Sequence, residues 1–176
     1  MVQILELFGG IGSPRCALRN IGIPVKSIDY VEIDEAAVRS YNAMFAKNLP
    51  YKTQTVVGYN LRPDILIHGS PCNDMSVAGH QGTATKDGRI NHGAGAEEGS
   101  GTRSSLMWET INIIKQMGEW KPKYVIWENV KNIRSKYMVH NHDRYMEELS
   151  KLGYTSTYEL LDAREFGIPQ ARERYF

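Results

Sequence analysis

Cys72 is the first residue to weigh for chemistry. It stands directly after Gly69-Ser70-Pro71, a tight turn that closes the apolar run Asp64-Ile65-Leu66-Ile67-His68. In an α/β protein, ligands bind at the carboxyl ends of strands, and a thiol there can act as a nucleophile once ionised. Cys16 is the one other cysteine of the sequence, so Cys72 is not read as half of a structural disulfide. Its type and place leave two uses open, a nucleophile or a small buried side chain. Glu128 opens Glu128-Asn129-Val130 after the apolar stretch Tyr124–Trp127. A carboxyl on the same sheet rim as a thiol can exchange a proton with a bound base; taken alone it reads equally as a helix cap or a surface acid. Arg172 and Arg174 alternate in Gln170-Ala171-Arg172-Glu173-Arg174. In an extended segment alternate residues point the same way, which makes a double cationic clamp or else a charged strand edge.

A second group of residues suits a ligand that carries a nucleoside. Phe8-Gly9-Gly10-Ile11-Gly12 follows an apolar run and precedes a helix start. Glycines let a ligand approach the backbone, and a helix N-terminus offers unpaired N–H groups. Glu32 lies 20 residues beyond Gly12, where an acid hydrogen-bonds a ribose hydroxyl pair in Rossmann-type sites. The bland alternative is a glycine-rich turn with an exposed acid.

The elements that must hold these residues alternate along the chain. Val2–Phe8 reads as a buried strand, and Ser13-Pro14 as an N-cap followed by proline in the first turn of a helix that ends at Gly22. Val25–Val31 is a second strand, and Asp34 caps a helix through Ala46. Thr53–Val57 is a third, weaker strand, and Asp64–His68 a fourth. Leu106, Ile111, Ile114 and Met117 give Thr102–Met117 a helical period that Gly118 ends. Tyr124–Trp127 is a fifth strand; a helix near His142–Leu152 leads to a sixth, Thr155–Leu161. This alternation predicts an α/β fold with a doubly wound, mostly parallel sheet. From Gly79 to Gly101, glycine and small polar residues dominate. That stretch is expected to form no packed element and to be a mobile loop, placed as a lid after Cys72 would be.

Composition sets the outer bounds. The 176 residues suffice for one domain with a hydrophobic core, at 41% apolar and 23% charged residues. Two cysteines and no signal-peptide pattern point to a reducing cytoplasm. No apolar run approaches the roughly 20 residues that span a bilayer, so no membrane partner is expected, and no metal-ligand set is read. A net charge of +1 decides nothing about nucleic acid. The lysines and arginines gathered between Lys115 and Lys136 read as a solvated helix face and a loop.

In this order, the four motifs resemble the cytosine 5-methyltransferase family. Phe8-Gly9-Gly10-Ile11-Gly12 is similar to its first motif, Gly69-Ser70-Pro71-Cys72 to its nucleophile motif, Glu128-Asn129-Val130 to its acid motif, and Gln170-Ala171-Arg172-Glu173-Arg174 to its Gln-x-Arg-x-Arg motif. The resemblance covers Val2 to Phe176. It implies a Rossmann-like, S-adenosyl-L-methionine-dependent fold and methylation of carbon 5 of cytosine in double-stranded DNA. By resemblance, Cys72 attacks carbon 6, Glu128 engages the N3 edge, and Arg172 and Arg174 hold the base and favour the thiolate. The resulting enamine takes the methyl group, and loss of the carbon 5 proton expels the thiolate. The base must be flipped from the duplex. Cofactor contacts are implied at Phe8, Gly9, Gly10, Ile11, Gly12, Glu32, Ile33, Gly69, Pro71 and Leu106. Roles in restriction-modification or phage protection are the family's expectation.

The sequence departs from the family pattern in three places. Asn73-Asp74 follows Cys72 where glutamine is common. Gly58-Tyr59-Asn60 stands where an aspartate usually binds the adenine amino group, which leaves Asn60 as the substitute. The chain also stops at Tyr175-Phe176 within an expected strand. The expectation is a catalytic domain, residues 1–176, without its target-recognition domain and closing helix, or half of a split enzyme served by a second chain. Competing functions are a cofactor-binding subunit inactive alone, RNA cytosine methylation by the same chemistry and, more distantly, a dehydrogenase.

Overall fold

Four parallel strands form the main sheet. In the computed structural model, β1 (Val2–Leu7), β2 (Val25–Val31), β3 (Ile65–His68) and the strand Tyr124–Trp127 lie in the order β2-β1-β3-(124–127). The structure describes residues 1–58, 61–71, 82–84, 90–92 and 96–176; for 27, 28, 82–84 and 90–92 only the backbone is described. Strand order reverses between β1 and β3, the place where open α/β sheets bind their ligands. Leu5, Leu7 and Leu66 are buried within this sheet, as expected of strands covered on both faces. The chain divides into two units, Met1–Gly69 with Asn112–Trp127, and Ser70–Ile111 with Glu128–Phe176.

In the first unit, α1 (Ser13–Asn20) follows β1 and α2 (Glu35–Phe45) follows β2. Asp34 caps α2 as the sequence indicates, its Oδ1 accepting from Ala37 N at 2.8 Å, a bond worth about 1 kcal/mol. Ser13 does not cap α1. The cap position is Gly12 in the left-handed conformation, and Ser13 is already helical. The glycine-rich turn therefore runs directly into the helix. Gly22, at φ +77°, stands just past the C-cap of α1, where glycine relieves the left-handed strain. Thr53–Val57 is not a strand. Gln54 N donates to Glu32 O at 2.8 Å, so the segment runs beside the end of β2 without a ladder.

The second unit contains β4 (Gly82–Ala84) and β5 (Ile90–His92), paired antiparallel. This corrects the reading of residues 79–101 as free of packed elements. Ala96 is buried, and its carbonyl accepts from Trp108 Nε1 at 2.8 Å. Residues 79–81, 85–89 and 93–95 of that stretch, with the mobility expected of them, lie outside the described residues. A 3-10 turn, Ser104–Leu106, opens into α3 (Met107–Met117), whose residues are shared between the two units. With β6 (Tyr124–Trp127) closing the parallel sheet, the chain continues through β7 (Asn129–Val130) to α4 (Val139–Lys151). Asn141, His142, Tyr145 and Leu149 form the buried stripe of α4. β8 (Leu160–Asp162) and β9 (Glu173–Tyr175) complete a three-stranded sheet, β7-β9-β8, antiparallel at each pairing. β8 is thus shorter than the sixth strand read from the sequence and begins later.

Candidate active site

The glycine-rich turn is held from below by an acid and a tyrosine. β1 ends at Leu7, and Phe8 takes φ +53°, a left-handed conformation that a residue with a side chain adopts only under constraint. Gly9 N donates to Val31 O at 3.2 Å. A Cβ at Gly9 would lie 2.6 Å from Tyr30 Cδ2, so the turn rests on that ring and has no room for a side chain. Gly10, at φ +52°, has both backbone groups engaged. Its N–H donates to Glu32 Oε2 at 3.0 Å, and its carbonyl accepts from Tyr30 Oη at 2.6 Å. Gly12, at φ +84°, would drive a Cβ to 2.7 Å from the rings of Tyr41 and Phe45.

Glu32 directs the approach to this turn. Oε1 accepts from Ile33 N at 2.7 Å and Asp34 N at 2.9 Å, and Oε2 from Gly10 N. A carboxylate has about four lone-pair sites, so capacity remains for a hydroxyl donor. Ile11 and Ile33 stand exposed to either side in sequence, at 55% and 73%. An acid with spare acceptor capacity, exposed apolar side chains and a turn stripped of Cβ atoms are the donor set and shape that a nucleoside needs. The residues present fit S-adenosylmethionine.

Under the turn lies a chain that the sequence reading did not pick out. Arg15 Nη1 donates to Tyr41 Oη at 3.0 Å, and Tyr41 Oη donates to Glu6 Oε1 at 2.7 Å. Tyr41 stacks on Tyr30 with ring centroids 3.7 Å apart. Burial raises the Glu6 carboxyl to about 7, against lowering by the Tyr41 bond and the Arg15 charge. The available signal was a glutamate inside an otherwise apolar strand, Val2-Gln3-Ile4-Leu5-Glu6-Leu7. Farther along the same sheet, His68 is buried and stacked with Trp127, and desolvation lowers its pKa to about 3. Gly69 follows His68 directly, half-buried.

In the second unit the acid and the arginines meet. Glu128 Oε1 lies 2.8 Å from Arg174 Nε and 3.9 Å from Arg172 Nη2. β7 fixes the level of Glu128 by pairing Asn129 with Tyr175 and Val130 with Arg174. Arg172 is fixed through its backbone: its carbonyl accepts from Ala163 N at 3.0 Å, and its N–H bonds the Asp162 carboxylate. The Arg164 guanidinium grips the same carboxylate and holds Asp162 down at about 2. Lys131 Nζ bonds both oxygens of Glu173 at 3.0 Å, which places the residue between the two arginines on another partner. Pro71 is half-buried, and Leu106 ends the 3-10 turn before α3. Cys72 and Asn60 lie outside the described residues.

Among the described residues no helix is long and apolar enough to cross a membrane. The family model for C-5 cytosine-specific DNA methylase matches residues 2–176. The type II methyltransferase M2.ScrFI of Lactococcus lactis subsp. cremoris is 32% identical over 231 residues, with 100% of this chain and 60% of that protein covered. The orphan methyltransferase M.Rho11sI of Bacillus phage rho11s is 32% identical, with 99% of this chain and 32% of its own length covered. The chain thus spans at most about three-fifths of these relatives. Among solved structures, a DNMT2 variant of Spodoptera frugiperda superposes with a TM-score of 0.72 at 21% identity, over 99% of this chain and 48% of that one. The methyltransferase EhMeth of Entamoeba histolytica gives 0.70 at 22%, over 99% and 51%. Both share the Rossmann-like fold. With the match running from Val2 to Phe176 and relatives at 32% identity across the whole chain, this protein belongs to the C-5 cytosine-specific DNA methylase family.

Proposed function

We propose that this chain carries the cofactor-binding and catalytic residues of a DNA cytosine 5-methyltransferase. The observation that supports it best is the Glu128 carboxylate, whose Oε1 lies 2.8 Å from Arg174 Nε and 3.9 Å from Arg172 Nη2, an acid held beside two cations. Cys72 is the nucleophile that adds to carbon 6 of cytosine. Glu128 takes the N3 edge and amino group and gives its carboxyl proton to N3, so that the electron pair displaced by addition at carbon 6 leaves a neutral enamine at carbon 5. Arg172 holds the base, and its charge favours the thiolate of Cys72. Arg174 orients Glu128. Bound S-adenosylmethionine supplies the electrophilic methyl group. Phe8, Gly9, Gly10, Ile11 and Gly12 form its cradle, Glu32 holds the ribose, and Ile33, Asn60, Gly69, Pro71 and Leu106 complete its contacts. The partner is double-stranded DNA with the target base flipped out, recognised with a portion supplied in the same chain or by a second one, and the compartment is a reducing cytoplasm.

The test is a covalent trap. A duplex carrying 5-fluorocytosine should give an adduct with wild type that survives sodium dodecyl sulfate and requires S-adenosylmethionine. Cys72→Ala should give none, and an adduct that persists in that variant overturns the assignment. Transfer of labelled methyl to duplex DNA and not to transfer RNA supports DNA as substrate; the reverse makes this an RNA enzyme.

A further inference from the structure

β1 places an acid where its sequence neighbours are apolar. Glu6 is 1% exposed, and its Cβ lies 3.3 Å from the position a Cβ on Gly9 would take. The side chain therefore starts directly beneath the glycine-rich turn. One carboxyl oxygen, Oε1, accepts from Tyr41; the other, Oε2, is buried and finds no partner among the described residues. A half-satisfied buried carboxyl is costly in its charged form, and nearby positive charge offsets that cost. The groups facing it come from three elements: Arg15 on α1, Tyr41 on α2 and Tyr30, its register neighbour on β2. On β3 the register neighbour is the apolar Ile67. Burial, with the acids Glu32, Glu6 and Asp34, pushes Tyr30 well above the ordinary tyrosine value.

We propose that the Glu6 carboxyl beneath the turn distinguishes the cationic cofactor from its product, and that cofactor binding releases a proton from it. The proposal rests on the reading of the turn as the S-adenosylmethionine site. The cofactor carries a sulfonium charge; S-adenosylhomocysteine has the same ammonium and carboxylate but a neutral thioether. A buried carboxylate feels that one-charge difference with little screening from salt. Bringing the cation near it stabilises the ionised form, so the proton leaves to solvent as the cofactor enters. With Glu6 raised to about 7, both forms are populated before binding. The ionised form grows with pH, so affinity for the cofactor rises with pH while affinity for the product rises less. The site then releases its product more readily on the acid side of neutrality.

Calorimetric titration of the chain with each ligand, at several pH values and in buffers of different ionisation enthalpy, tests this. Between pH 6 and pH 8 the dissociation constant for S-adenosylmethionine should fall by up to about tenfold, with up to about one proton released. S-adenosylhomocysteine should show a smaller change, and Glu6→Gln should make the two profiles parallel. Tyr41→Phe keeps the ring stack but removes a bond that favours the carboxylate, so its pH midpoint should move upward. That variant tests the proposal independently if Glu6→Gln does not fold. Parallel profiles for both ligands in wild type, or an unmoved midpoint in Tyr41→Phe, overturn it. If neither ligand binds at any pH, the cofactor reading falls and this proposal with it.

Discussion

Arg174 reaches Glu128 through Nε at 2.8 Å, while Arg172 stands 3.9 Å from the same carboxylate oxygen. The two arginines are thus unequal, one bonded and one at the limit of an ion pair. Arg174→Lys keeps the charge but removes the fixed Nε–H that orients the acid. All three side chains are partly exposed, so unfolding free energy should change by less than about 1 kcal/mol. Methyl transfer should fall by roughly 100-fold, the low end of what a positioned acid contributes. Initial rates with labelled cofactor, beside a urea melt, read the two effects apart.

Glu128→Gln removes the ionisable oxygen and keeps the shape. Transfer should drop by roughly 100-fold to 10,000-fold, with cofactor affinity unchanged. Equilibrium binding and single-turnover rates check this, and loss of both together would count against a role confined to the base.

The glycines of the first turn should differ in their tolerance. At Gly10 an added Cβ meets nothing within 4 Å, so Gly10→Ala should cost only the left-handed strain, about 1–2 kcal/mol. At Gly12 the same strain is joined by contacts of 2.7 Å with two aromatic rings. Gly12→Ala should therefore cost a further 1–3 kcal/mol or so for overpacking. Denaturant unfolding of both variants gives the ordering, and equal losses would show that the rings move aside freely.

Glu6 and His68 impose opposite pH dependences on stability. Glu6 is raised from 4.5 to about 7 in the fold, so its neutral form is favoured there. Its contribution is complete below 4.5 and is lost as pH rises through 7. His68 is lowered from 6.5 to about 3; its contribution is complete above 6.5 and is lost as pH falls toward 3. Glu6→Gln should gain stability on wild type between pH 4.5 and pH 7, by up to roughly 3 kcal/mol. Chemical unfolding across that range measures the difference, and a constant offset would mean that Glu6 does not titrate there.

How much of this was legible in the sequence depended on whether the signal was local. Asp34 capping α2 and Gly22 closing α1 follow from side-chain chemistry and φ at single positions, and both stand as read. Ser13 failed as a cap because Gly12 could take the left-handed cap conformation itself, a choice that no cap preference announces. Thr53–Val57 has strand composition, yet it makes one backbone bond to Glu32 and no ladder. The hairpin of β4 and β5 was hidden by glycine-rich composition, which says little about pairing. At the site, the alternation of Arg172 and Arg174 foretold two cations facing one way, and both stand within 4 Å of Glu128. The Arg15–Tyr41–Glu6 chain joins β1 and α1 to Tyr41 on α2, far from both in sequence. Only the packing of α1 and α2 around β1 reveals it.

Both backbone groups of Gly10 are satisfied from within the chain, by Glu32 on one side and Tyr30 on the other. The conformational freedom of the turn is therefore given up during folding rather than at recognition, and association does not have to freeze it again. A binding loop normally exchanges its amide hydrogens quickly until its ligand arrives. The Gly10 amide should instead exchange slowly in the free protein, in step with the strands on either side of it.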